Sequence, residues 1–339
     1  MPRIPYDTLR DTLAAVCAAL GFAPDAAALC ARVFADASRD GVASHGLDRV
    51  PRFVGMVRDG VIDPAARPVV AASHGALERW DGRRGAGMLN ATAAMDRAVA
   101  LARAHGVGAV ALGNTNHWMR GGTYGWQAAE AGVVALCWTN TLPNMPPWGG
   151  PSWGSAVPRL GNNPLVIAVP RADGGGHVVL DTAMSQFSFG ALATYRRRGE
   201  PLPVPGGYDT AGALTTDPAA IEATGRVLPI GYWKGAGLSL ALDLVAALLA
   251  GGLATHEIPA DPARETGLSQ LFVALDPSFG GAVPTSTIVS AVVDDLHRTT
   301  GARYPGERAL RTREVSLRDG VEVDAAVWAQ VEAWAVNIS

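Results

Sequence analysis

The sequence predicts an α/β protein with helices at both ends and a mixed-sheet unit between them. Three observations carry this. Residues 7–59 repeat their apolar positions at helical spacing; from Trp80 onward, helical periodicity alternates with short apolar runs of strand length; near the C-terminus the helical pattern returns. The reading is two units: residues 1–72 and 305–339 as a helical unit, and residues 73–304 as a central α/β unit.

The elements follow in order. Residues 7–20 place Leu9, Leu13, Val16, Cys17 and Leu20 on one helical face and stop at Gly21. Pro24 opens a second helix that carries Leu29, Val33 and Phe34 through residue 37. A third is expected to start after Ser44, acting as N-cap, and to run to about Asp59. "MLNATAAMDRAVALARAHG" is helical and ends at Gly106, "VGAVALGN" is a buried strand, "GGTYGWQAAEAG" a helix and "VVALCWTN" a strand, which together make a βαβ region. "PLVIAVP" and "HVVLDTA" read as paired strands around the glycine-rich "RADGGG". Residues 199–231, rich in glycine and proline, are expected to be an irregular surface excursion. The 237–252 helix is apolar around most of its circumference, so it is expected between layers, at a subunit contact or packed with the helical unit. A strand at 269–275 and helices near 284–299 and 324–336, the last capped by Asp324, complete the chain.

Composition excludes several classes of function. At 339 residues, 48% hydrophobic and 17% charged, the chain is long and apolar enough for a sizeable core and lies far from disorder. A net charge of −3, with no basic run longer than Arg196–Arg198, is unlike the basic stripe that nucleic acid requires. Cys17, Cys30 and Cys137 show no zinc spacing and no CxxC pair, so they read as thiols of a reducing compartment, and no metal site is expected. Asp7, Arg10 and Asp11 interrupt the N-terminus as a targeting sequence, and no charge-free stretch reaches spanning length. The expectation is a cytoplasmic protein with no membrane partner.

The segment "SHGLDRVPRF", residues 44–53, carries the first candidate site. With His45 at zero on a helical wheel, Arg49 falls at roughly 40° and Arg52 at roughly −20°, opposite Leu47, Val50, Val54 and Val57. An imidazole beside a guanidinium suits a small carboxylate ligand and a proton transfer. The same residues are equally what a solvated helix face with a serine cap looks like.

The loop "GNTNHWMRGG", 113–122, lies between a strand and a helix and offers Asn116, His117, Arg120 and a glycine pair to a phosphate, or is simply a polar turn. The nearest approach to GxGxxG is "GAGLSL", 235–240, which lacks the final glycine and a preceding strand, so a Rossmann site is not supported. Trp233 and Lys234 just ahead of a helix could meet an aromatic ring and a phosphate, or be an interfacial tryptophan and a solvated lysine. Asp181 at a strand end either caps or orients a neighbouring acid or base. Asp243 reads as a structural acid.

Taken together, "SHGLDRVPRF", "GNTNHWMRGGTYGW", "GNNPLVIAVP", "LDTAMSQFSFG", "GYWKGAGLSLALDL" and "YPGER" occur in the order seen in the type-2 malate/L-lactate dehydrogenase family, and the chain resembles that family over nearly its whole length. The resemblance implies a non-Rossmann nicotinamide-binding fold, NAD (NADH) or NADP (NADPH) as cofactor, a small 2-oxo or 2-hydroxy acid as substrate, and a homodimer with the site near the subunit interface. His45 would be the proton donor, Ser44 its relay partner, Asp181 the third member of the relay, and Arg49 the holder of the substrate carboxylate. Cofactor contacts would come from His117, Trp118, Met119, Arg120 and Gly121; from Val179, Leu180, Asp181, Thr182, Ala183, Met184 and Ser185; from Trp233 and Lys234; and from Gly306, Glu307 and Arg308. At the last of these the chain reads "PGER", where the members it looks most like carry a histidine after the glycine. Those members reduce a 2-oxo sugar acid at C2. Oxidation of malate, lactate, ureidoglycolate or sulfolactate, reduction of a cyclic imino acid, or a non-catalytic sensor of sugar acids or nucleotides are the alternatives. Arg120, Arg308 or the 196–198 cluster could meet a 2′-phosphate.

Overall fold

A computed structural model describes residues 1–149, 157–171, 176–280 and 284–336. A short strand β1 (Arg3–Ile4) leads into α1 (Tyr6–Ala19) and α2 (Pro24–Arg39). The segment that follows is not the single helix expected from its periodicity. Two 3-10 turns, Ala43–His45 and Leu47–Arg49, precede α3 (Val50–Arg58). Gly46 separates the turns at φ −104 and ψ −127, outside helical values. It sits so close to α2 that a Cβ there would stand 2.2 Å from Ser38 Oγ and 2.9 Å from the Phe34 carbonyl. Pro51 then suits the first turn of α3. His45 and Arg49 therefore stand on consecutive tight turns and not on one helical face.

The central unit begins with β2 (Val69–His74) and β3 (Leu77–Asp81), followed by α4 (Gly87–His105), β4 (Val107–Thr115), α5 (Gly122–Glu130) and β5 (Val134–Thr139). After β6 (Pro143–Met145) and β7 (Leu160–Gly161) come β8 (Leu165–Val169) and β9 (Val178–Thr182), an antiparallel pair. Residues 172–175 of their expected glycine-rich connection lie outside the described residues. The 199–231 segment has more structure than its composition suggested. After α6 (Phe189–Arg198) it contains β10 (Gly207–Tyr208), β11 (Leu214–Thr215) and α7 (Pro218–Thr224). The Asp217 side chain caps α7 and Gly225 ends it in the left-handed region. The chain continues through α8 (Trp233–Ala250), β12 (Leu268–Leu275), α9 (Thr285–His297), α10 (Glu307–Asp319), β13 (Val321–Glu322) and α11 (Ala325–Val336), whose first turn Asp324 caps.

Seven strands form one mixed sheet in the order β2-β3-β4-β12-β5-β8-β9. β3 and β4 are parallel neighbours joined by α4, whereas β4 and β5 are separated by antiparallel β12. Alternation along the strands sorts the two faces. Val110, Leu112, Phe272 and Ala274 join the apolar cluster under α4 and α5, while Ala111 and Leu271 join Ala250 of α8 on the other side. A separate cluster unites α1, α2, α3 and α11 with Met88, Leu89 and Met119. Asp243, in the middle of α8, accepts hydrogen bonds from Asn140 Nδ2 (2.8 Å) and the Thr255 N–H (3.0 Å), the structural role expected of it.

The tight contact at Gly46 makes it sensitive to any side chain. Gly46→Ala is expected to destabilise the fold by about 1–3 kcal/mol through overpacking against Ser38 and Phe34, read as a lower urea midpoint with an unchanged m-value.

Candidate active site

The site forms where the 43–49 turns meet the loop after β4. The Ser44 hydroxyl lies 3.1 Å from His45 Nδ1, which leaves His45 Nε2 without a partner among the described residues. Ser44 is in turn packed under the start of α6, where a Cβ on Gly190 would come within 2.6 Å of its own Cβ. The His45 ring faces His117 with centroids 5.8 Å apart and planes 23° from parallel. The Met119 N–H donates to His117 Nδ1 at 3.1 Å, so the remaining ring hydrogen of neutral His117 is on Nε2. Met119 supports that turn at φ 66.

Burial, together with the nearby Arg49 and Arg120 charges, lowers His45 to about 3. Burial together with Arg49, His45 and Arg52 pushes His117 well below its ordinary value. Both rings are therefore neutral at pH 7 in the free protein. Arg49 itself is lowered to about 10, by burial first and by Arg52 second, with Glu265 opposing. His45 and Arg49 combine dense surroundings with residual solvent exposure, as in the wall of a cleft. Arg49 Nη2 is 3.7 Å from Glu265 Oε2, beyond hydrogen-bond distance, so its fork is not closed on the protein.

The remaining sequence-predicted positions fall into two groups. Several are brought together along the end of β9. Asp181 Oδ2 accepts the Gly122 N–H at 2.7 Å, and Gly121 packs against the same carboxylate. Asp181 is exposed on β9 yet densely surrounded, which raises its carboxyl, with Arg120 and the Gly122 N–H opposing. No hydrogen bond joins Asp181 to Ser44 or His45 among the described residues. The Val179 N–H donates to the Pro305 carbonyl (2.9 Å), and Gly306, at φ 99, abuts Val179. Ser185 binds Asn162 Oδ1 (2.9 Å), and the Met184 carbonyl accepts the Ile230 N–H (2.9 Å) where the chain enters α8. Leu180 is exposed on β9, and Thr182 and Ala183 follow it. Trp233 opens α8 exposed, near Trp148, with Lys234 beside it.

In the second group the side chains are engaged elsewhere. Trp118 is buried against Tyr124 and Phe272. Arg120 is buried, with its Nη1 on the Asp40 carboxylate at 2.6 Å. Glu307 is held by Arg311, His297 and the Tyr304 N–H. In the 196–198 cluster, Arg196 pairs with Glu222 and Arg197 with Asp48. Arg308 keeps an exposed side chain. Sequence reasoning missed Asp40 and Glu265, which organise the arginines; single acids in "SRDG" and "PARETG" carry no spacing signal. A surface cavity of about 460 Å³ between α9 and α10, lined by His297, Arg303 and Arg311, includes none of the Ser44–Arg49 residues.

The malate/L-lactate dehydrogenase family matches residues 4–332, and the chain belongs to it. It is 42% identical to 2,3-diketo-L-gulonate reductase of Citrobacter koseri over 338 residues, covering 98% of this chain and 99% of that one. Among solved structures, Δ1-piperideine-2-carboxylate reductase from Pseudomonas syringae pvar. tomato superposes with a TM-score of 0.88 at 30% identity, covering 98% of this chain and 100% of the other. Sulfolactate dehydrogenase from Methanocaldococcus jannaschii gives 0.87 at 28% identity, with coverages of 99% and 97%. The protein is an oxidoreductase of the dehydrogenase type that works with a nicotinamide cofactor on a small molecule.

The depressed histidines tie stability to pH. Between the unfolded value of 6.5 and about 3, the unfolded chain takes up a proton at His45 that the fold refuses, so this contribution is complete above pH 6.5 and is lost as pH falls. Urea midpoints measured down this range are expected to fall less steeply for His45→Gln than for the wild type; parallel curves would show that the ring is not depressed.

Proposed function

We propose that the protein reduces the C2 carbonyl of a 2-oxo sugar acid, 2,3-diketo-L-gulonate, to 3-dehydro-L-gulonate with NADH or NADPH. The observation that carries this is the pairing of His45, held at Nδ1 by Ser44 and open at Nε2, with the unclosed guanidinium of Arg49. The name of the 42% identical relative supports the choice of substrate.

The residues present fit a nicotinamide dinucleotide. At the start of α8 the Lys234 and Gly235 N–H groups donate to the Gly231 and Ile230 carbonyls, so the exposed Lys234 supplies the charge there, and the exposed Trp233 and Tyr232 offer ring faces. Lys234 would hold phosphate, with Gly121, Val179–Ser185, and the backbone of His117–Arg120 and Gly306–Arg308 along the remainder. When bound, the cofactor supplies hydride to the substrate's C2.

Arg49 grips the substrate carboxylate through two parallel N–H donors and thereby orients C2. Its charge disfavours protonated His45 in the free protein, so a bound carboxylate, by offsetting that charge, raises the affinity of His45 for a proton. His45 Nε2 then donates to the carbonyl oxygen as negative charge builds there. Afterwards the ring is neutral, the state its burial favours. Ser44 fixes the ring at Nδ1, while Asp181 anchors the Gly121–Gly122 turn and is bonded to neither Ser44 nor His45 among the described residues. In the oxidative direction the same neutral His45 accepts the proton.

The protein in this reading is a cytoplasmic homodimer. Its cysteines are unpaired thiols, and α8 presents Leu238, Leu244, Val245 and Leu248 outward, Leu248 at 80% exposure, which a second copy would cover. α8 is long and apolar enough to cross a membrane by length and composition, yet it packs on the sheet and holds the bonded Asp243.

A panel of oxo acids, with loss of NADH or NADPH absorbance as the readout, tests the assignment. The dioxo sugar acid is expected to give the highest kcat/KM, and no turnover of any oxo acid would favour a sensor. His45→Ala is expected to lower kcat by about 10² to 10⁴ in a folded variant; near-normal turnover would remove the assigned role.

A further inference from the structure

Two guanidinium groups share one buried carboxylate beside the site. Arg52 Nη2 donates to Glu265 Oε2 at 3.1 Å and to the Pro262 carbonyl, while Arg49 Nη2 stands 3.7 Å from the same Glu265 oxygen. The other Glu265 oxygen accepts the Leu142 N–H at 3.3 Å. Asp261, the second acid whose charge reaches Arg52, caps the Ala263 N–H. Arg52 Nε is buried and has no hydrogen-bond partner among the described residues. Folded chains seldom keep a buried donor unmet, and such a group beside a ligand cleft is best explained by an acceptor on the ligand. Arg52 is close enough to Arg49 and His117 for its charge to lower both.

Arg49 ends the second 3-10 turn and Arg52 follows three residues later in the first turn of α3. A ligand whose carboxylate lies on Arg49 therefore runs its carbon chain within reach of Arg52. Resting on the oxo-acid reductase reading above, we infer that Arg52 is a specificity-determining residue. Its Nε–H donates to a substrate oxygen beyond the carboxylate and the reacting carbonyl, so the site selects 2-oxo acids oxygenated at C3 or further along. A site built to bond such an oxygen strongly rejects an analogue that lacks it, because the protein donor is then left unpaired.

Arg52→Lys keeps a positive charge opposite Glu265 and removes the Nε–H. The measurement is kcat/KM for the 2,3-dioxo sugar acid and for 2-oxobutanoate, which has no oxygen at C3, in wild type and variant. The selectivity ratio between the two acids is expected to fall at least about tenfold in the variant, mainly through KM for the sugar acid. An unchanged ratio overturns the inference, whether both rates fall together or neither does. Melting curves establish that the variant is folded; should Arg52→Lys not fold, the same ratio in Arg52→Gln decides. If the wild type reduces both acids and the ratio does not move, the inference alone fails. Should the wild type reduce neither, the reductase reading fails and the inference with it.

Discussion

The carboxylate of Asp40 holds the molecule's parts in register. It ends α2, is almost fully buried, and accepts from Arg39, from Arg120 in the loop after β4, and from Arg313 in α10 at 2.7–2.9 Å or closer. Burial alone would push its carboxyl up, yet the three guanidinium groups outweigh this and hold it below the usual carboxylate range. Arg313 also lies over the Trp126 ring of α5, 5.1 Å from its centroid. Removing the carboxylate would leave the buried Arg120 guanidinium uncompensated, a loss of about 3–5 kcal/mol. The loop so anchored carries His117, and His117 is the ring against which His45 rests. The distance between the helical end and the sheet, and with it the shape of the cleft, follows from this one cluster.

Around His45 and Arg49, guanidinium groups again outnumber carboxylates. Arg49 and Arg52 have Glu265 between them, and the two imidazoles add no charge at neutral pH. Low basicity at His45 comes first from burial and then from the Arg49 and Arg120 charges. In the proposed reaction the positive field that lowers the proton affinity of His45 also favours an anionic ligand, so proton uptake and substrate capture are linked through Arg49.

Much of this could be read from the sequence. Helices with strong apolar periodicity and clear ends, such as α1, α2 and α4 with its left-handed Gly106, stand where their spacing put them. The buried strands β4, β5, β8, β9 and β12 announced themselves as short apolar runs. α10 was missed because "ERALRTREVSLRD" buries little beyond Glu307 and Ser316, which leaves no apolar stripe to detect. The third helix was drawn too long because local periodicity does not register that Gly46 must lie against Ser38. At the site, His45, Ser44 and Arg49 were legible as a pattern. The engagement of Arg120 by Asp40 and the sharing of Glu265 were not, since those partners lie 80 or more residues away and only tertiary packing brings them together.

The place of β12 in the sheet has a consequence for how the chain comes into being. β4 and β5 are made early, yet neither touches the other: the strand between them arrives only after α8 has been built. Until then the nascent chain holds two raw edges facing across a gap one strand wide, each able to pair with the wrong neighbour. A ribosome that stalls before residue 275 therefore releases not a smaller enzyme but an open-sided sheet inclined to aggregate, and the late-arriving strand serves as the keystone of assembly.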